Sequence, residues 1–511
     1  WEKYCFRVHQ EHVTLFSFPS FLFIIFLMIH NPIIPGFNPD PSITFDGKQY
    51  IIATSTFEYY PGVSLYVSSD LSKWHYKTSV LTSENNFNLS GARNSSGIYA
   101  ATIRYHEGRY YMVTTNKNGF GNLISSADDI SGPWSEPRFI HRTGIDPSLL
   151  FLEDGRCFYT QNGKGGIYGA FIDPETGRLL DELQLISPGL SGYATEAPHI
   201  YQKDGMYYLV FAEGGTEYGH HEVVGRARNI FGPYELRETP VLSHVDRKGH
   251  IIQAAGHADL IALEDGRWIA VFLAIRVPGK AMLHNLGRET FMAEVNWVDN
   301  WPVIGDDGNV ELEMPSDIET GKETSFYFNY ADDISKYPIL RVRRENAENY
   351  ERIGDDLLFH GTDEITKDLG EPALLLVRQE EFDCIFTAEL SLDHLSGCAG
   401  VTVFYNSDYN ASLCALKRQG DIILQYRRKI HDLKTVVSER KICECSSIRF
   451  EIHSNREGYG FYANGEPMGS ASIASFSTEA TMYMTFTGTM FGVFAENGDA
   501  VFINGFGFKA L

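Results

Sequence analysis

Cysteine is scarce in this 511-residue chain and follows no pattern. The seven cysteines (Cys5, Cys157, Cys384, Cys398, Cys414, Cys443 and Cys445) are odd in number and form no Cys-x-x-Cys pair. Neither a disulfide framework nor a zinc site is indicated. Positive charge is also short: 43 Lys and Arg stand against 66 Asp and Glu, a formal net charge of −23. That argues against nucleic acid as a partner, because phosphate binding needs clustered Lys and Arg. It also argues against an anionic membrane surface and fits a neutral ligand such as a sugar. Long helical patterns are rare. The Gly-x-Ser-x-Gly elbow, the His-Glu-x-x-His pair and the glycine-rich phosphate loop are all missing, which removes three common catalytic templates.

Long apolar runs are missing too, with one exception at residues 13–29. That run resembles a signal h-region or a short membrane anchor, although Pro19 interrupts it and no small-x-small cleavage site follows. An upstream extension is the third reading of residues 1–30, and compartment, cytoplasmic or secreted, turns on the choice. What the chain has in quantity is aromatic residues, with 34 Phe and 28 Tyr in a composition that is 43% apolar. β-Favouring stretches dominate, so the expected class is all-β.

One pattern recurs five times: an apolar stretch, an acid followed by glycine, then a second apolar or aromatic stretch. The turns are Asp46-Gly47, Glu107-Gly108, Asp154-Gly155, Asp204-Gly205 and Asp265-Gly266, spaced 47 to 61 residues apart. An acid-Gly pair between two β-favouring runs is a strong hairpin signal. Five such repeats predict a five-bladed β-propeller over residues 31–313. Eight residues before the turn acid, repeats two to five carry Tyr99, Asp146, Glu196 and His257. In repeat one, aligning Asp40-Pro41-Ser42 with Asp146-Pro147-Ser148 puts Asp40 at the same place. The innermost strand of a blade starts at the central channel, so Asp40, Asp146 and Glu196 should converge there. Mutual repulsion would spread their pKa values, as acid and base catalysis at neutral pH requires. An Asp-Pro turn can also be no more than a solvated strand start.

Other residues group with these acids. His257 holds the matched place in blade five, either as an axial metal-site or orienting residue or as a hydrogen-bonded structural histidine. Arg288 presents a planar fork to hydroxyls or a carboxylate, or else pairs structurally with Glu289. Phe57 either stacks on a sugar face or packs in the core. After a polar stretch near residues 314–330, alternating runs at 373–377, 381–390, 400–405, 422–426, 447–452, 460–463 and 482–486 predict a second all-β unit. It is a two-sheet sandwich of jelly-roll type over residues 325–511.

The segments Asn31-Pro-Ile-Ile-Pro-Gly-Phe-Asn-Pro-Asp40-Pro-Ser, Thr54-Ser-Thr-Phe-Glu58, Gly144-Ile-Asp146-Pro-Ser, Thr195-Glu196-Ala-Pro-His199 and Gly287-Arg288-Glu-Thr-Phe291 closely resemble glycoside hydrolase family 43. More narrowly, they resemble its two-domain β-xylosidases and α-L-arabinofuranosidases. The resemblance covers about residues 31–511. It implies a five-bladed propeller followed by a concanavalin-like β-sandwich. It implies an inverting exo-glycosidase that removes terminal xylose or arabinose from xylo- or arabino-oligosaccharides, with Asp40 as general base, Glu196 as general acid and Asp146 tuning the acid. Arg288 and Phe57 would touch substrate. His257 would sit at the channel centre, where relatives often hold calcium, through water. No cofactor is otherwise implied, and a homo-oligomer is compatible with it. Tyr99 stands where the family often has Trp, in a subsite wall. An aromatic from the sandwich closes the site in similar enzymes, and Met490, with Phe491 beside it, falls where that ring is expected. A sugar-binding propeller without turnover, and a retaining fructan- or sucrose-cleaving enzyme, are the competing readings. The latter's Asn-Asp-Pro-Asn motif is not present.

Overall fold

The structure, a computed structural model, describes residues 27–119, 121–279, 282–321, 325–443 and 445–511. Most of the apolar segment at residues 1–30, with Cys5, lies outside the described residues. Its last four residues, Leu27–His30, form a strand antiparallel to Glu313–Ser316, a two-stranded sheet apart from the blades.

All five acid-Gly pairs lie in the turn between the first and second strands of a blade. At Glu107-Gly108 and Asp204-Gly205 both residues have positive φ, and His106↔Arg109 and Lys203↔Met206 close the ladder. These are two-residue hairpins of the kind that acid-Gly favours. At Asp46, Asp154 and Asp265 the turn is longer. There the aspartate side chain accepts backbone N–H groups two or three residues on, from Gln49, Arg156 and Arg267. The five innermost strands are Ser42–Phe45, Ile98–His106, Ser148–Phe151, Glu196–Lys203 and Ile252–Ala262. Each opens an antiparallel sheet of four strands, except that in blades three and four the outer strand is split into two short pieces.

The propeller axis is closed by one side chain. Arg104, on the innermost strand of blade two, sends Nη1 to Asp259 Oδ2 at 2.7 Å and Nη2 to Asp259 Oδ1 at 3.0 Å in blade five. The same guanidinium donates to Ser42 Oγ and Ile43 O in blade one and to Leu149 O in blade three, and meets His199 Nδ1 in blade four. Asp259 is fully buried and also accepts from Tyr201 and Ser42. Removing one partner of a buried pair leaves an uncompensated charge, at a cost of about 3–5 kcal/mol. Arg104→Met is therefore expected to lower the stability of the chain by that amount in guanidinium unfolding. A loss below about 1 kcal/mol would mean that Asp259 is satisfied without it.

The second unit is a sandwich of two antiparallel sheets, one of eight strands and one of six. Cys384–Ser391 alternates buried and half-exposed residues along its whole length, the period-2 pattern of a strand with one face on the core. Phe386, Phe491 and Phe506 pack between the sheets. Six of the seven alternating runs are strands. The seventh, residues 482–486, is a loop.

The two units share a polar, buried joint. Arg341–Val342 pairs with Tyr59–Tyr60 of blade one. Arg343 donates to Ala92 O at 2.6 Å, and Arg378 donates to Phe37 O at 2.5 Å. Gly287 and Gly488 touch back to back: a Cβ on Gly488 would fall 2.2 Å from Leu286 O. Glycine at both places lets the sandwich loop that precedes residue 488 reach the mouth of the propeller.

Candidate active site

The matched positions carry a shared backbone irregularity. Asp40, Asp146 and His257 have φ of 54°, 53° and 55°, and Ala197, next to Glu196, has 55°. Left-handed backbone at non-glycine residues costs about 1–3 kcal/mol each and persists where surroundings impose it. Here the surroundings are visible. Asp146 Oδ2 accepts the Ala197 N–H at 3.1 Å, and Glu222 Oε2 accepts the Ala258 N–H at 3.0 Å. The strained turns aim Asp40, Asp146, Glu196 and His257 into one cavity of about 230 Å³. That is below the ~300–1,000 Å³ of pockets that take drug-sized ligands, and suits one small ring.

Asp40 is buried with both oxygens engaged: Oδ1 with Arg288 Nη1 at 2.6 Å, Oδ2 with Ser55 Oγ at 2.6 Å. Burial alone would raise its pKa, but Arg288, then His257 and Ser55, outweigh burial and hold it below the usual carboxylate value. Glu196 responds the other way. Burial, then the negative charges of Asp146 and Asp40, push it up to about 8, against the opposing pull of Arg288 and Thr216. Asp146 is also raised, by burial and by Asp40, with His257 opposing. The pocket thus holds one carboxyl kept ionised and another kept protonated near neutrality.

Arg288 pairs with Asp40, and the alternative partner Glu289 is taken by Arg276 at 2.7 Å. Its guanidinium lies 5.5 Å from the Phe57 ring centre and 5.7 Å from that of Phe486. Phe57, Tyr99 and Phe486 form an aromatic wall, with ring centres 5.1 to 5.8 Å apart. Phe57 is therefore both packed and pocket-lining.

Met490 and Phe491 do not close the pocket. Both are fully buried at the start of strand Met490–Glu496, Met490 among Phe37, Phe57 and Tyr59, and Phe491 stacked on Phe386 in the sandwich core. The sandwich residues that line the cavity are Met484 and Phe486, four to six residues upstream. The reason is that residues 490–496 are hydrogen-bonded between two strands, whereas the preceding loop is free to reach across the joint.

Several pocket residues escaped the sequence reading. Thr216 and Glu217 line it from the loop between the second and third strands of blade four, and Tyr193 stands at its rim, 67% exposed. Glu213 fixes that rim. Its carboxylate accepts from Leu190 N, Ser191 N, Gly192 N, Ser191 Oγ and Thr195 Oγ1, all within 3.2 Å. The only signal of Glu213 in the sequence is a carboxylate at a strand end, which is common. Beside the pocket lies a second cavity of about 530 Å³, reached past Arg288, Thr216 and Phe486 and floored by sandwich residues 478–487.

The calcium expected at His257 would be held through water, which would supply most of its oxygens. Calcium takes six to eight oxygens. Around His257 the oxygens of Asp40 are engaged by Arg288 and Ser55, and deeper in the channel those of Asp259 are engaged by Arg104. Among the described residues no three His, Cys, Asp or Glu are arranged to hold an ion. Arg104 thus places a guanidinium at the axis.

Two carboxyls of opposed protonation in one small pocket are the apparatus of glycoside hydrolysis. Residues 29–302 match the model for glycosyl hydrolases family 43, and residues 339–501 match that for a beta xylosidase C-terminal concanavalin A-like domain. The chain belongs to glycosyl hydrolases family 43. It is 32% identical over 490 residues to a non-reducing end alpha-L-arabinofuranosidase of Bacteroides ovatus, covering 92% of each chain. It is 33% identical over 432 residues to a xylosidase/arabinosidase of Butyrivibrio fibrisolvens, 77% of this chain and 81% of that one. A crystal structure of xylan beta-1,4-xylosidase from Bacillus halodurans is similar with a TM-score of 0.86 and 29% identity, over 94% of this chain and all of that one.

Proposed function

We propose that this glycoside hydrolase removes terminal β-D-xylosyl or α-L-arabinofuranosyl residues from hemicellulose-derived oligosaccharides, with inversion. Asp40 acts as general base, Glu196 as general acid, and Asp146 raises the pKa of the acid. One observation carries the reading: two carboxyls in one pocket have environments that drive their pKa values apart, the signature of separate acid and base roles. The carboxyls come from blades one and four, which are not neighbours, as an arrangement that admits a water beside the sugar requires. Inverting enzymes need about 6.5–9.5 Å between carboxyls for that water, against about 5–5.5 Å in retaining ones. Phe57, Tyr99, Arg288 and Phe486 hold the sugar. A small pocket walled by the sandwich loop accepts a chain end, which makes the action exo. A sugar-binding propeller without turnover would have no use for a protonated acid beside an ionised base.

The test is hydrolysis of nitrophenyl β-D-xylopyranoside and α-L-arabinofuranoside, with the product anomer followed by proton NMR. β-Xyloside should first give α-xylose, and xylobiose should be cut far faster than the interior of xylan. Retention of configuration, or turnover of neither pentoside, would overturn the proposal.

A further inference from the structure

The loop that leads into the third strand of blade four, residues 214–220, ends in His220. The ring is fully buried, and neither nitrogen has a hydrogen-bond partner. Nδ1 lies 3.9 Å from Glu196 Oε1, and that oxygen is also buried without a partner. The backbone fixes the ring from behind: His220 N donates to Glu217 O, and Gly214 folds tightly onto Gly219. In front, Gly256 of blade five makes the space, since a Cβ there would fall 2.5 Å from His220 Cδ2 and 2.7 Å from Nε2. Two unpartnered buried groups facing each other are costly, at about 1–3 kcal/mol for each, and a movement of about 1 Å would satisfy both. Hydrogen bonds at active sites often close only in the substrate complex.

We infer that His220 is a positioning residue for the acid: in the substrate complex its Nδ1–H donates to Glu196 Oε1 and leaves Oε2 to carry the proton to the leaving-group oxygen. This rests on the assignment of Glu196 as acid. The ring serves as a neutral donor. Burial, then His257, Arg288 and His221, hold its pKa down to about 3, with Asp40 opposing. Glu196 itself faces Asp146, Asp40, Arg288 and Thr216, and adds to the charge felt by Glu222. No proton leaves His220 in the reaction. It fixes which oxygen of Glu196 is protonated, and it stabilises the carboxylate once the proton has gone.

The test compares His220→Leu and His220→Asn in the full chain on a dinitrophenyl xyloside and on xylobiose. His220→Leu should lose about 10–100-fold in kcat/KM on xylobiose, whose leaving group needs the proton, and under about 3-fold on the dinitrophenyl substrate. The alkaline limb of its kcat profile on xylobiose should move to higher pH, because the anionic form of Glu196 in the substrate complex has lost a donor. His220→Asn, with an amide N–H near the Nδ1 position, should restore both. Equal losses on the two substrates, or an unmoved alkaline limb, would overturn the inference. If His220→Leu does not fold, Gly256→Ala carries the test, because its Cβ displaces the ring while keeping it. The same split must appear, and its absence overturns the inference. Glu196→Gln, run in parallel, separates the two claims. If it lacks leaving-group dependence, the acid assignment fails. If it has that dependence and His220→Leu does not, only the role of His220 fails.

Discussion

Asp40→Asn is expected to lose about 10²–10⁴-fold or more in kcat on every substrate, whatever the leaving group. The base acts on water, and water must be deprotonated in each turnover regardless of what departs. The pocket shows why Asp40 suits this part. Arg288 and Ser55 hold both its oxygens, and the net effect is a carboxyl ionised at any working pH. Asparagine keeps the shape: its oxygen can accept from Arg288 and its amide N–H can donate to Ser55 Oγ, but it is uncharged and cannot take a proton from water. Alanine is a harsher change, because it strips Arg288 of a buried partner and mixes lost chemistry with lost stability. Asp40→Asn, which keeps a hydrogen-bond partner for Arg288 but not the charge, should therefore melt below the parent and above Asp40→Ala, while the activity of the folded enzyme collapses. Substrate should still bind, since Phe57, Tyr99 and Phe486 are untouched. Activity within about tenfold of the parent, or a loss confined to poor leaving groups, would remove Asp40 from the base role.

The propeller and its acids were legible because both are local signals repeated. Each acid-Gly turn is set by neighbours in sequence, and five of them fix a common frame in which Asp40, Asp146, Glu196 and His257 fall at matched places. The sandwich loop was not legible, for a reason visible in its partners. Residues 482–486 alternate as a strand does, but no strand lies beside them. Met482 N donates to Tyr409 OH, Phe486 N to Ser95 Oγ, and Phe486 O accepts from Arg288. These partners are side chains from distant segments, and period-2 alternation carries no trace of them. The resemblance places the closing aromatic at 490–491, where the strand Met490–Glu496 begins, and Phe486 upstream lines the pocket instead. Arg104 is a similar case. In Thr102-Ile103-Arg104-Tyr105 it reads as an ordinary exposed strand residue. Only closure of the five blades brings Asp259, 155 residues away, against it.

Glu196→Gln is the second large effect, and its size should depend on the leaving group. A glutamine cannot protonate the departing oxygen. Xylobiose and alkyl glycosides, which need that proton, should lose about 10²–10⁴-fold, whereas a dinitrophenyl glycoside should lose little in the glycosidic step. The pH profile gives an independent reading. With Glu196 pushed up to about 8, activity on poor leaving groups should fall as pH rises through about 8, and Glu196→Gln should abolish that limb. The sign of the cause can be tested separately. Asp146 is a negative charge that raises Glu196. Asp146→Asn removes it, so the acid ionises sooner and the alkaline limb moves to lower pH, by an amount that competes with burial, the larger cause. Stability follows the same linkage. A carboxyl whose folded pKa exceeds its unfolded value near 4.5 stabilises the fold fully below that value and loses the contribution as pH rises through about 8. The chain should therefore melt lower at pH 9 than at pH 6, and Glu196→Gln, which never ionises, should narrow that gap. An alkaline limb that stays in place in Asp146→Asn would mean that burial and Asp40 hold the proton on Glu196 without Asp146. A Glu196→Gln variant equally impaired on both classes of leaving group would mean that the carboxyl is not the acid.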